Sequence, residues 1–87
     1  ENSSVQTLYK LVNDQVEALE FVVTSKFKYI SKRLMDMKLK DNILVAGISR
    51  GNEMIVPKGH DTLELNDHII IIAKSSKIKN LNNIIGE

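Results

Sequence analysis

The stretch NILVAGISRGNEMIVP, from Asn42 to Pro57, decides the expected fold because two apolar runs flank a two-residue turn. Residues 43–48 and 54–56 form the two runs, and Gly51-Asn52 lies between them. A Gly-Asn dipeptide between such runs is typical of a β-hairpin. Glycine at the first turn position adopts positive φ without steric cost, as a type II′ turn requires.

The register of this hairpin places Arg50 opposite Glu53, a cross-strand pair of opposite charge. The two apolar runs are nearly continuous rather than alternating, which is typical of strands covered on both sides. We therefore expect the hairpin to be buried on both faces and to form the centre of a sheet.

The composition indicates one small domain. The chain has 87 residues, no cysteine and a formal net charge of +1. A chain of this length buries only about 60–65% of its unfolded surface, so oligomerisation is an expected source of further burial. The absence of cysteine gives no indication of secretion and fits a cytoplasmic protein. Because the chain starts at Glu1 rather than methionine, we expect it to be part of a longer protein.

Two classes of function receive no support from the composition. Lysines and acidic residues are interspersed, without the basic stripe that nucleic-acid binders usually show. The longest wholly apolar run, residues 69–73, is far shorter than the ~20 residues of a membrane span. We expect neither nucleic-acid binding nor direct membrane insertion.

Outside the hairpin, periodicity predicts three helices. The first spans residues 5–12, is capped by Ser3 or Ser4, and has an apolar stripe of Val5, Leu8, Tyr9 and Val12. The second begins at Ser31, ends near Met37 and directs Leu34 and Met37 inward. The third begins at Ser75 or Ser76 and ends at Gly86, with a stripe of Ile78, Leu81, Ile84 and Ile85.

Two further strands complete the prediction. Residues 15–24 alternate and form the first strand, and residues 68–73 (HIIIIA) are β-branched enough to form a central strand. The resulting fold class is α+β: a small sheet of about four strands with the hairpin at its centre and helices packed against it.

Placed in this order, the segments resemble the C-terminal domain of TrkA-type potassium-uptake regulators, the RCK_C family. Residues 8–12 resemble the segment that joins this domain to a preceding one, so residues 1–14 are assigned to a connecting helix and residues 15–87 to the RCK_C domain. The similarity is carried by VEALEF at 16–21, Leu34, Leu39, residues 43–48, Arg50-Gly51, IVPKG at 55–59, Thr62-Leu63-Glu64, and Asp67 before residues 69–72.

Two positions depart from the family pattern. Asn66 stands where the family usually has glycine, and asparagine is the next-best residue for a left-handed turn. Arg33 stands near a position where the family often has proline, which suits a first helical turn without being required there.

The resemblance implies a cytoplasmic regulatory subunit that assembles on a membrane potassium transporter through the full-length protein. In this family the domain forms homodimers, and several members bind cyclic di-AMP in the groove between two subunits. NAD or ATP belongs to a preceding dinucleotide-binding domain, and no G-x-G-x-x-G fingerprint occurs in this chain. We therefore expect no cofactor in this part of the protein, and no enzymatic activity.

The candidate ligand-binding residues are Ile48, Arg50, Met54, Ile55 and Pro57. Arg50 could donate a bidentate pair of hydrogen bonds to a phosphate, whereas the simpler interpretation is a surface pair with Glu53. The other four could line an apolar slot for adenine, whereas the simpler interpretation is hydrophobic core, with Pro57 shaping a turn.

Two His/Asp dipeptides, His60-Asp61 and Asp67-His68, are interpreted as solvated turns because a metal site needs three or four converging ligands. The alternatives to a ligand-sensing dimer are a ligand-free structural dimerisation module and a regulatory appendage of another cation transporter or antiporter.

Overall fold

The computed structural model describes residues 5–74 and 78–86, with side chains from Tyr9 onward. Five strands form one antiparallel sheet: β1 (Val5–Leu11), β2 (Val16–Val22), β3 (Ile43–Arg50), β4 (Glu53–Ile55) and β5 (His68–Lys74). Their order across the sheet is β1-β2-β5-β3-β4, so β5 is central, as its β-branched sequence predicts. Single 3₁₀ turns at Leu34–Asp36 and Leu81–Ile84 are the helical elements of the described chain.

The predicted α+β class is therefore wrong: the domain is all-β, with loops instead of helices packed against the sheet. The sheet has five strands rather than four. The hairpin of β3 and β4 lies at one edge rather than at the centre, because β5 pairs with both β2 and β3. The hairpin register is confirmed, since Arg50 pairs with Glu53 and Gly51 has a φ of 61°.

The first predicted helix is strand β1. A turn of positive-φ residues, Val12 to Asp14, returns the chain so that β1 pairs with β2. The apolar pattern of residues 5–11 fits both the 3.6-residue period of a helix and the two-residue period of a strand, and so short a segment does not discriminate between them. Pairing with a distant strand decides the conformation, and the domain boundary at residue 14 stays a prediction.

The second predicted helix is reduced to its single 3₁₀ turn because its backbone finds distant partners. The N–H groups of Ser31, Leu34 and Met35 donate to the carbonyls of Leu63, Asp61 and Gly59 at 2.9 Å each. Ser31 has a φ of 65°, which is incompatible with a helix N-cap. The inward positions of Leu34 and Met37 are confirmed.

The third predicted helix is also a single turn, although Ile78, Leu81 and Ile84 are buried as predicted. Asparagines satisfy the local backbone instead: Asn80 accepts from the Asn82 N–H, and Asn83 accepts from the Asn80 N–H. Asparagine side chains compete in this way with continued helix. The predicted caps Ser75 and Ser76 lie outside the described residues.

One face of the sheet carries the core, under the loops of residues 23–42, 56–67 and 78–86. A bulge at Ala46 shifts the pairing of β3 with β5 between Val45 and Gly47. Because of this extra residue, the side chain that faces the core after Val45 is that of Ile48 rather than that of Gly47. The core is lined by Leu19, Phe21, Ile43, Val45, Ile48, Ile69, Ile71 and Ala73 from the sheet, and by Val23, Phe27, Leu34, Met37, Leu63, Ile78, Leu81 and Ile84 from the loops.

The opposite face, which we call the open face, is exposed or half-buried. Leu44 is 60% exposed and Met54 is 64% exposed, so the expectation of a hairpin buried on both faces is wrong. Within the described residues, the helical elements are 3₁₀ turns of three and four residues, so none of them is a candidate for a membrane span. The open face is formed by Tyr9, Leu11, Val16, Ala18, Glu20, Val22, Leu44, Ser49, Met54, His68, Ile70, Ile72 and Lys74.

Candidate functional site

A charged cluster lies where β3 ends and the loop before β5 begins. The Arg50 Nε atom donates to Asp67 Oδ1 at 2.9 Å, and Nη2 donates to Asp67 Oδ2 at 2.8 Å. The same Nη2 donates to the carbonyl of Thr62 at 3.0 Å. This bidentate pair joins the hairpin to the loop of residues 61–67, and we call it the Arg50–Asp67 clamp.

The clamp is asymmetric in burial: the Asp67 side chain is 1% exposed and that of Arg50 is 40% exposed. Asp67 Oδ2 also accepts the backbone N–H of Glu64 at 2.8 Å, which satisfies a buried carboxylate. The hydrogen bond to Asp67 raises the pKa of Arg50 above its ordinary value. Arg50 therefore stays charged, and its guanidinium is already engaged within the chain.

Glu64 extends this cluster towards the loop of residues 23–42. Its Oε1 accepts from Ser31 Oγ at 2.6 Å, and its Oε2 accepts from Thr62 Oγ1 at 2.5 Å. The hydrogen bonds from Ser31 and then Thr62 lower the pKa of the Glu64 carboxyl below its ordinary value. The folded state thus favours the ionised form of Glu64.

Substitution Glu64→Gln is expected to reduce the slope with which the free energy of unfolding falls as the pH is lowered. A carboxyl whose folded pKa is lowered stabilises the fold above its unfolded pKa of 4.5, and this stabilisation is lost as pH falls through the folded pKa. Denaturant unfolding from neutral pH down to about pH 3 measures the slope. Equal slopes for wild type and Glu64→Gln would contradict the assignment.

The structure separates the predicted ligand residues instead of bringing all five together. Ile48 is fully buried and pairs with half-buried Ile55 on the core face. Met54 pairs with Ser49 and lies on the open face. Arg50 lies at the clamp, and its role in ligand binding stays a prediction.

Met54 borders a concave region of about 510 Å³ on the open face, at the hairpin end. A hydrogen bond joins two of its residues, His68 Nδ1 and Glu20 Oε2, at 2.9 Å. Apolar and hydrogen-bonding groups therefore meet in this region. It is lined by Glu20, Ser49, Gly51, Met54, Asn66, His68 and Ile70.

The remaining predicted residue and the two His/Asp dipeptides lie elsewhere. Pro57 is half-buried beside a depression of about 230 Å³, together with Leu34, Leu39 and Lys58. His60 Nε2 lies 3.9 Å from Asp61 Oδ1. Within residues 9–74 and 78–86, no group of three or more His, Asp or Glu side chains could hold a metal ion.

Asp67 is the residue that sequence reasoning missed, since the pattern paired Arg50 with Glu53. Glu53 is indeed opposite Arg50 in the backbone register, but the Arg50 side chain reaches across to Asp67, 17 positions along the chain. The sequence carried a usable signal: Asp67 directly precedes the central strand β5, and a carboxylate buried at the edge of the core needs a charged or hydrogen-bonding partner.

Comparison with known proteins gives a consistent result. Residues 18–86 match the model of a family described as the TrkA-C domain. The chain is 32% identical over 72 residues, 83% of its length, to the Trk system potassium uptake protein TrkA homolog 2 of Methanosarcina mazei. It is 32% identical over 63 residues, 72% of its length, to the TrkA homolog of Archaeoglobus fulgidus. The matched part of the chain covers only 16% of the length of the first relative and 14% of the length of the second.

Proposed function

Because the chain belongs to the TrkA-C domain family, we propose that it is the regulatory domain of a protein acting on a potassium transport system. The observation that carries this proposal is the family match over residues 18–86, together with relatives named as Trk system potassium uptake proteins. The family is not generally catalytic, so the proposed role is binding and control rather than chemistry. The proposed location is the cytoplasm, next to a membrane transporter.

The finer proposal is a homodimer that binds a small anionic ligand, such as cyclic di-AMP, in the groove between its subunits. The concave region at the hairpin end supplies space for a ligand, with apolar surface from Met54 and Ile70 and hydrogen-bonding groups from Ser49 and Asn66; the Glu20 carboxylate in its lining is hydrogen-bonded to His68. Arg50 remains 40% exposed, and its three hydrogen bonds use only Nε and Nη2. A ligand bound between two subunits changes their relative orientation only if it binds one arrangement of the subunits more tightly than the other. The difference between the two affinities sets the size of the shift in the equilibrium.

A second candidate, a ligand-free dimerisation module, is favoured by one specific observation. The Arg50 guanidinium is held by Asp67, and the other candidate residues are divided between the two faces of the sheet. A purely structural module needs no convergent ligand residues. Regulation of a cation transporter or antiporter other than a potassium system is compatible with the same domain.

Thermal melts of the chain with cyclic di-AMP, cyclic di-GMP, ATP and NAD test the ligand. At ~100 times its dissociation constant, a ligand adds about 2.7 kcal/mol, which for a domain this small is a shift on the order of 10 °C. We expect the shift with cyclic di-AMP alone. No shift with any of the four, in a chain shown to be dimeric, would support the ligand-free module.

The same thermal melts test whether Arg50 contacts the ligand. Arg50→Ala should reduce the ligand-induced shift by the equivalent of about 1.5–3 kcal/mol, because a charged phosphate contact is lost. The comparison uses the shift rather than the melting temperature itself, since Arg50→Ala also breaks the clamp. Arg33→Ala removes an arginine from an exposed ion pair with Asp36 and should leave the shift unchanged. An undiminished shift in Arg50→Ala would remove Arg50 from the site.

A further inference from the structure

A second concave region lies in the loops that cover the core, where residues 29–38 meet residues 85–86. Its volume is about 230 Å³. It shares no lining residue with the concave region at the hairpin end. We call it the lysine pocket, and it is lined by Tyr29, Lys32, Asp36, Lys38, Ile85 and Gly86.

Backbone hydrogen bonds hold two walls of the lysine pocket together. The Lys40 N–H donates to the Ile84 carbonyl at 2.9 Å, and the Gly86 N–H donates to the Lys38 carbonyl at 2.6 Å. An isolated antiparallel β-bridge lies between these two bonds. The segment that carries Lys38 is therefore fixed against the segment that carries Ile85.

Tyr29 forms an aromatic wall whose position is set by the core. Its ring meets the ring of buried Phe27 edge to face, with the centroids 5.7 Å apart and an interplanar angle of 62°. Lys32 Nζ lies 5.6 Å from the centroid of the Tyr29 ring, within the range of a cation–π interaction. This contact holds one ammonium group at the pocket.

The charges of the lining are unbalanced. Neither Lys32 nor Lys38 forms an ion pair with any residue that the structure describes. The Asp36 carboxylate also belongs to the lining, but its Oδ2 atom accepts from Arg33 Nε at 2.7 Å. Two ammonium groups thus border the pocket beside a carboxylate that is already paired with an arginine.

The surrounding loop adds to this positive charge. Although lysines and acidic residues are interspersed over the whole chain, residues 23–42 hold six of its twelve lysines and arginines and only two of its eleven acidic residues. A concave site within a region of one sign raises the local concentration of ions of the opposite sign. The six are Lys26, Lys28, Lys32, Arg33, Lys38 and Lys40.

We propose that the lysine pocket binds a phosphate group, either of inorganic phosphate or of a small phosphate monoester. The pocket is smaller than the roughly 300–1,000 Å³ of sites for drug-sized ligands, so its ligand has few atoms. A phosphate monoester carries a charge of about −1.5 to −2 near pH 7, which matches the two lysines. Lysine ammonium groups bind phosphate as point charges, and Tyr29 and Ile85 supply apolar surface for the body of an ester.

Nuclear magnetic resonance of the ¹⁵N-labelled 87-residue chain, titrated at constant ionic strength by replacing chloride with phosphate, tests the site. We expect saturable shifts of the backbone N–H signals of Lys32, Lys38 and Gly86. The absence of saturable shifts at these signals would overturn the proposal. Phenyl phosphate distinguishes the two sources, since tighter binding than that of inorganic phosphate assigns a monoester and equal or weaker binding assigns the free ion.

Two lysine substitutions test the ligand contacts against a matched control. Lys32→Gln and Lys38→Gln should each raise the dissociation constant of phosphate about 5-fold, because each removes one charged donor. Lys26→Gln removes the same charge from the same loop outside the lining and should leave the dissociation constant within about 2-fold of wild type. Equal effects of all three substitutions would indicate general attraction to the loop and would overturn the site.

A substitution of opposite sign makes the test sharper. Asp36→Asn removes a negative charge from the lining and releases the Arg33 guanidinium, so it should lower the dissociation constant of phosphate about 2-fold or more. Unchanged or weaker binding in Asp36→Asn would place the phosphate outside the lysine pocket.

The outcomes separate this inference from the proposed function. The melting shift with cyclic di-AMP should be the same in Lys38→Gln as in wild type, because the two concave regions share no residue. A cyclic di-AMP shift without phosphate binding at the lysine pocket would overturn this inference alone. Phosphate binding without a cyclic di-AMP shift would support the lysine pocket and count against the ligand of the proposed function.

Discussion

Substitution Leu63→Ala is expected to lower the free energy of unfolding by about 3–4 kcal/mol. Leu63 is fully buried, and its carbonyl accepts the Ser31 N–H at 2.9 Å, so the loop cannot easily move to fill the cavity. A domain of this length has a total stability of about 4–13 kcal/mol. The variant should therefore lose a large share of it, measured by urea unfolding.

Leu65→Ala provides the matched comparison, since the residue type and the loop are the same. Leu65 is 52% exposed, and its truncation should change the free energy of unfolding by no more than about 0.5 kcal/mol. Equal losses in the two variants would show that the loop of residues 61–67 does not seal the core as the structure indicates.

Asp67→Ala is expected to lower the free energy of unfolding by about 2–4 kcal/mol, because it leaves the Glu64 N–H and Arg50 Nε without their acceptor and the Arg50 charge without its partner. The value lies below that of a fully buried ion pair because Arg50 is 40% exposed and regains hydration. Asp67→Asn keeps one acceptor oxygen and should fall between the alanine variant and wild type. Urea unfolding at neutral pH measures all three.

Asp36→Ala is the control for this experiment. Asp36 accepts from Arg33 Nε at 2.7 Å, a distance comparable to that in the clamp, but both side chains are about half exposed. Its removal should change the free energy of unfolding little, since exposed ion pairs are weak. If Asp67→Ala were as mild as Asp36→Ala, the clamp would be a surface feature rather than a link between hairpin and loop.

Sequence reasoning located most of the buried positions but assigned several of them to the wrong element. Leu34, Met37, Ile78, Leu81 and Ile84 were predicted to face inward and do so. The helix predicted from Ser31 is replaced by a loop because its backbone bonds to distant backbone. The helix predicted up to Gly86 is replaced because asparagine side chains bond to its own backbone. Local periodicity reveals neither kind of hydrogen bond. Apolar spacing reports burial more reliably than it reports the path of the backbone.

The candidate site shows the same division. Arg50 was recognised as the charged residue beside the hairpin turn, and its backbone register with Glu53 was correct. Its side-chain partner, Asp67, depends on where the loop before β5 lies relative to β3. That position follows from the antiparallel pairing of β3 with β5 and not from any spacing within either segment.

The sequence by itself determined the Gly51-Asn52 turn, the central place of the β-branched strand and membership of the TrkA-C family. These follow from local stereochemistry and from the order of short motifs along the chain. Only the tertiary structure decided that residues 5–11 form a strand, that the hairpin lies at an edge, and that one sheet face stays open. Each of these depends on pairing between distant segments, whose hydrogen bonds and buried area outweigh local propensity.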